Sequence, residues 1–235
     1  MTANAGELSA LRAVSAALGP LRTEVVFVGG MIRSLLITDP AAPMARPTDD
    51  IDLVAAISSR AEYYVLAERL RELGFREDRR DKAPLCRWIV RGLTVDVMPD
   101  HENVLGFSNR WYHSAGKTAT VHTIGREDSD RIRVVNAPHF VATKITSFQN
   151  RGKGDFCHHD MEDIVAVVDG REELLAEHGE APAALRSFVA TEIGTLLKND
   201  SFIESLPGHL PGDKASQARL PLLHRRLTDI AGRTK

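Results

Sequence analysis

Two aspartates set two positions apart are the first residues able to do chemistry. They lie in RPTDDIDLVAA, Arg46 to Ala56. In an extended strand, side chains two apart share a face, so Asp50 and Asp52 emerge together while Ile51, Leu53 and Ala55 point the other way. Two close carboxylates repel, and one would have its pKa pushed up unless a cation intervened. Mg²⁺ is a natural partner, since it is held by one or two carboxylates plus substrate phosphates. A third aspartate, Asp96, sits in LTVDVMP, Leu93 to Pro99, a run otherwise apolar or β-branched. A carboxylate there is costly unless paired or bound to metal. If its strand lies beside the Asp50–Asp52 strand, three carboxylates converge and hold two Mg²⁺ or Mn²⁺ ions about 4 Å apart. Such a pair activates an attacking hydroxyl and stabilises a leaving pyrophosphate.

A third segment, VVFVGGMIRSLL, Val25 to Leu36, reads as a buried strand, a Gly29-Gly30 turn and a helix. Glycines allow close approach to the backbone, and the N–H groups of a helix start attract anions. Arg33 would add a charged contact to a triphosphate.

The elements that must position these residues follow from periodicity. Leu8, Leu11, Val14, Ala17 and Leu18 predict a first amphipathic helix, stopped by Gly19 and Pro20. Strands are predicted at Val25–Val28, Asp50–Ala56, Leu85–Arg91 and Thr94–Met98, the last two forming a hairpin around Gly92. Weaker strands are predicted over 119–124 and 132–135. Helices are predicted over 31–37, 60–73, 139–148, 159–168, 183–198 and 215–230, with prolines 40, 43 and 47 marking a loop. The expected fold is α/β (α+β), a short mixed sheet flanked by helices and followed by a helical C-terminal part. The expected domains are 1–137, catalytic, and 138–235, helical and completing the nucleotide pocket.

Composition narrows the classes. A chain of 235 residues with 43% hydrophobic and 26% charged residues is ordinary for a globular protein. The formal net charge of -2 gives no global field to attract nucleic acid, so a nucleic-acid partner would need a local basic patch. Two distant cysteines, Cys86 and Cys157, form no disulfide framework or Cys-rich zinc site and fit a reduced, cytoplasmic setting. The N-terminus lacks the pattern of a signal peptide, and no apolar run is long enough to span a bilayer, so no membrane partner is expected.

With Gly29-Gly30, Asp50-Ile51-Asp52 and Asp96 in that order, the sequence resembles the DNA polymerase β-like nucleotidyltransferase superfamily. More narrowly, VGGMIRSLL followed by RPTDDIDL resembles the AbiEii/MenT-type nucleotidyltransferase toxins of bacterial toxin–antitoxin and phage-defence systems. The resemblance covers about Val25 to Val168. It implies a nucleotide-binding enzyme, taking ATP or another NTP and transferring its NMP to an acceptor. It also implies that Lys144 contacts the nucleotide phosphates, and that Lys153 and Asp155 complete the nucleotide pocket, within a pattern that includes Arg151 and Asp163. The superfamily often has Gly-Ser after the first strand. Here Gly-Gly is followed by Met31, so phosphate contact there would rest on backbone N–H groups and Arg33. A tRNA 3′ end is the acceptor the toxin group implies; a protein hydroxyl or a small molecule stays open, as does a cognate antitoxin.

Two rival readings use other features. His159-Asp160 is the dipeptide of HD-type metal phosphohydrolases, with His122 or His139 and Asp169 as the remaining ligands. The plainer reading is a helix N-terminus, where Asp160, Glu162 and Asp163 favour the positive end of the dipole. A non-catalytic nucleotide- or partner-binding fold is the other rival. Trp88 and Trp111 are expected in the core. Arg76, Arg79, Arg80 and Lys82, interleaved with acids, are expected as a solvated loop, and Arg225, Arg226, Arg233 and Lys235 as a solvated basic tail. No second histidine cluster is expected.

Overall fold

The computed structural model describes residues 5–44 and 46–232. In chain order the first elements are α1 (Ala5–Leu18), β1 (Val25–Val28), α2 (Arg33–Leu36), β2 (Asp50–Ala55), α3 (Arg60–Glu72), β3 (Arg76–Glu77), β4 (Arg87–Val90) and β5 (Leu93–Pro99). Next come α4 (Glu102–Leu105), α5 (Tyr112–Thr118), β6 (Thr120–Thr123) and β7 (Arg131–Val134). The rest is helical: α6 (Ala137–Arg151), α7 (His159–Gly170), α8 (Leu174–Glu180), α9 (Ala183–Leu196), α10 (Asp200–Ser205), α11 (Lys214–Gln217) and α12 (Leu220–Ala231).

The described residues form two compact units, one of 5–32 and 46–136, the other of 33–44 and 137–232. The helical unit joins 137–232 with a segment, 33–44, that precedes β2 in the chain. The cause is specific bonding. The N–H groups of Thr38 and Asp39 both donate to the carbonyl of Gly170, and Arg171 donates to the carbonyl of Leu36. The fit is close, since a Cβ at Gly170 would lie 2.9 Å from the Ile37 side chain and 3.2 Å from Ala42, so these would have to shift.

The first unit is built on a seven-stranded mixed sheet of order β3-β4-β5-β2-β1-β7-β6. Strands β2 and β5 pair in parallel, as do β1 and β7, while β1–β2, β3–β4, β4–β5 and β6–β7 are antiparallel. Alternation gives the sheet an apolar face of Phe27, Ile51, Leu53, Val95, Val97 and Trp88, all buried. Helix α3 packs toward this face, with Arg71 lying 5.8 Å over the Trp88 ring. The other face carries the aspartates and, farther along the strands, Val54 and Met98. Here α5 covers it, with the Tyr112 hydroxyl 3.5 Å from the Met98 sulfur. The core position expected for Trp111 is also found.

In the second unit α6 and α7 carry the core, with Phe140, Ile145, Ile164 and Val168 buried against Ile193 of α9 and Leu223 and Leu227 of α12. The single helix expected over 215–230 is two: Pro221 at the N-terminal turn of α12 marks a new start after α11. Arg226 is half-buried, donating to the carbonyls of Val168 and Asp169. Arg233 and Lys235 lie outside the described residues, as do Met1 to Asn4. No helix among the described residues is long and apolar enough to cross a membrane.

Removing a buried aromatic ring should leave a cavity. Phe140→Ala is expected to cost about 3–5 kcal/mol in urea unfolding, whereas Val121→Thr, exposed on β6, should change stability by less than about 0.5 kcal/mol.

Candidate functional site

The register of β2 and β5 sets the geometry of the carboxylates. Asp52 stands opposite Asp96 and Asp50 opposite Thr94, all on one face of the sheet. Asp96 is buried and Asp50 half-exposed. The antiparallel pairing of β1 with β2 places Val28 opposite Asp52, and the chain then turns through Gly29. This glycine has φ +73°, and a Cβ added to it would lie 1.9 Å from the Asp52 carboxylate oxygen Oδ2. Gly29 is thus needed twice, for a left-handed backbone and for the space Asp52 occupies. The Gly-Gly turn seats an aspartate before it can cradle a phosphate.

Arg87 completes this face, and the sequence reading missed it. It stands opposite Asp96 in the β4–β5 hairpin. Its guanidinium grips both oxygens of Asp96 at 2.8 Å and reaches Asp50 at 3.4 Å. Its own pKa is driven further up by these bonds. The hairpin around Gly92 was the available signal, since its register puts Arg87 beside Asp96. The charge conflict of the aspartates is therefore real and already partly met by a cation. An all-oxygen donor set of this kind suits a hard dication such as Mg²⁺. The three carboxylates do not bring one oxygen each within 4.8 Å of one another. The fork of Arg87 holds Asp50 and Asp96 in its own geometry.

The remaining expected residues fall in the helical unit. Arg33, at the start of α2, is buried and ion-paired with Asp163 of α7. Lys144 of α6, also buried, contacts both Asp160 and Asp163. Arg151 closes the set, holding both oxygens of Asp160 at 2.7 Å. Both Arg33 and Lys144, expected to contact a triphosphate, are thus ion-paired with aspartates of α7. Burial would raise the pKa of Asp160, but Arg151 and Lys144 outweigh it and bring the group down to about 2. Lys153 and Asp155 are exposed in the turn between α6 and α7. Lys153 takes φ +50°, and Asp155 accepts a hydrogen bond from the Cys157 N–H at 2.9 Å. No ion pair joins either to the Lys144 set among the described residues.

Two clusters among the described residues bring three possible metal-ligand atoms within 4.8 Å of one another. One is His158, His159 and Asp160. Here His158 caps α7, its ring nitrogen accepting from the Asp160 N–H. Asp160 already spends both oxygens on Lys144 and Arg151, which is poor ground for a further cation. The other cluster, Asp100, His101 and His113, contradicts the expectation that the histidines form no second group. His101 and His113 are twelve positions apart, and only the path of the chain through α4 and α5 unites them. A cavity of 430 Å³ in the sheet unit is lined by Tyr63, Ala67, Arg71 and Trp88. Although Arg87 also borders it, those residues belong to the apolar face, away from the aspartates.

No protein-family model matches the chain, and no curated protein matches it. Among solved structures it is similar to an antigenic nucleotidyltransferase-like protein from Paracoccidioides brasiliensis, at 16% identity and a TM-score of 0.50, covering 90% of this chain and 97% of that one. The likeness is one of fold: a mixed sheet with flanking helices, then a helical C-terminal region.

Two outcomes follow from this geometry. Gly29→Ala should destabilise the protein by about 1–3 kcal/mol, measured as a shift of the urea midpoint. Asp160 has a folded pKa of about 2, below its ordinary 3.8, so its stabilisation is full above about pH 4 and fades as pH falls through 2. In acid titrations followed by circular dichroism, Asp160→Asn should therefore flatten the loss of stability between pH 4 and 2.

Proposed function

We propose that this chain is a metal-dependent nucleotidyltransferase, moving the NMP part of an NTP onto an acceptor hydroxyl with release of pyrophosphate. The observation that carries the reading is the register that sets Asp52 opposite Asp96 with Asp50 on the same face, the three sharing a face with the cation of Arg87. The likeness of fold to a nucleotidyltransferase-like protein supports it.

In this reading Asp50 and Asp52 hold Mg²⁺ or Mn²⁺. Ions bound there supply charge neutralisation on the triphosphate and ease deprotonation of the attacking hydroxyl. Asp96 takes up the hydroxyl proton, which requires Arg87 to let go of its two oxygens. Gly29 keeps Asp52 in place, and backbone N–H groups of the turn would receive the phosphate. Arg33, Lys144, Lys153 and Asp155 belong to the other unit, and their part in nucleotide binding rests on the resemblance alone. So do the choice of tRNA as acceptor, ATP as the preferred NTP, and a cognate antitoxin. The phosphohydrolase alternative is weakened by Asp169 as well as Asp160, since Asp169 is ion-paired with Arg219 at 2.7 Å.

The test is incubation of the purified chain with each α-³²P-labelled NTP, Mg²⁺ or Mn²⁺, and total RNA. Label should pass to RNA with the intact chain and fall by at least about 10³-fold in Asp50→Ala or Asp52→Ala, with unchanged circular dichroism. Full transfer by either variant would refute the metal assignment. Saturable NTP binding without labelled RNA would turn the search to protein or small-molecule acceptors.

A further inference from the structure

The carboxylate face of the sheet continues past Asp96. Four residues farther along the same chain lies Asp100, about 13 Å away at ~3.3 Å per residue. Its carboxylate is almost fully buried and aimed with care. One oxygen accepts from the Ile57 N–H at 2.8 Å, and the other lies 2.8 Å from His113 Nδ1. His113 stands in the first turn of α5. His101 stands at the N-cap of α4, yet its side chain makes no capping hydrogen bond. Its ring instead lies 5.0 Å, centroid to centroid, from that of His113. One ligand atom from each of the three residues falls within 4.8 Å of the others.

We propose that Asp100, His101 and His113 bind one transition-metal dication, Zn²⁺ by preference, independently of the nucleotidyl-transfer site. Two imidazoles and a carboxylate suit a borderline dication and do not suit Mg²⁺. Both histidines are exposed, so an ion has a path in and a coordination position left for water. The Ile57 N–H holds the carboxylate as supporting partners do in metal sites. The three ligands come from the end of β5, the start of α4 and the start of α5, so the ion ties these elements together. It closes the loop formed by residues 102–112 against the end of the sheet. This differs in kind from the His158 cluster, where Lys144 and Arg151 already neutralise the shared aspartate.

The test uses the full chain without a histidine tag, titrated with Zn²⁺ by calorimetry and followed by thermal melting. One Zn²⁺ per chain should bind and raise Tm, reversibly on chelation. His101→Ala, which leaves the Asp100–His113 contact intact, and His113→Ala should each weaken binding by at least about tenfold and abolish the Tm shift. His158→Ala/His159→Ala should bind as the parent does. The proposal is overturned if the parent does not bind Zn²⁺, if His101→Ala and His113→Ala bind it as well as the parent, or if only the His158/His159 variant loses it. None of these outcomes depends on NTP turnover, so they leave the transferase reading to its own test.

Discussion

Strand β2 lies between β1 and β5, and almost everything at the candidate site follows from how it pairs on each side. A strand repeats its facing every two residues, so a slip of one position would bury Asp50 and Asp52 in the apolar layer and expose Ile51 and Leu53. The pairing is held by that penalty. It puts Asp52 level with Asp96 on one side and with Val28, just before the Gly29 turn, on the other. The hairpin then brings Arg87 level with Asp96. Three acids and one base thus share a small patch without any loop having to fold over them.

The charges of the two units are handled differently. On the sheet, Asp50 is half-exposed and Arg87 reaches it only at 3.4 Å, so the patch can exchange one cation for another at modest cost. In the helical unit, Arg33, Lys144, Asp160 and Asp163 are buried, and each carboxylate is held by more than one base. Removing a partner from such a set leaves an uncompensated buried charge, which is severe, whereas the set as a whole adds little net stability. One arrangement is suited to chemistry and the other to fixing which helices meet.

How much of this could be read from the amino-acid order depends on the range of the interactions. Strands β1, β2, β4 and β5 were legible because alternation and apolar runs are local, and with them the shared face of the three aspartates. Helices α4 and α5 were not, being four and seven residues long with too few turns to show a periodic face. Their absence from the reading hid the meeting of His101 with His113. The pairing of Arg33 with Asp163 spans 130 positions, and that of Asp39 with Arg219 spans 180. No local pattern announces either, and the C-terminal helices seemed empty of motifs for that reason. Pro221 was visible, but an apolar stripe running across it gave the impression of one helix.

The excursion of residues 33–44 into the helical unit has a consequence for how the chain is made. Everything the sheet needs has been synthesised once residue 136 has left the ribosome. The partners of Arg33, Thr38 and Asp39 include Asp163, Gly170, Glu173 and Arg219, which come later. During synthesis, this stretch links β1 and β2 while the helices that receive it have yet to be made. A basic side chain, Arg33, and an acidic one, Asp39, thus gain their buried ion-pair partners only once α7 and the chain around Arg219 have been made.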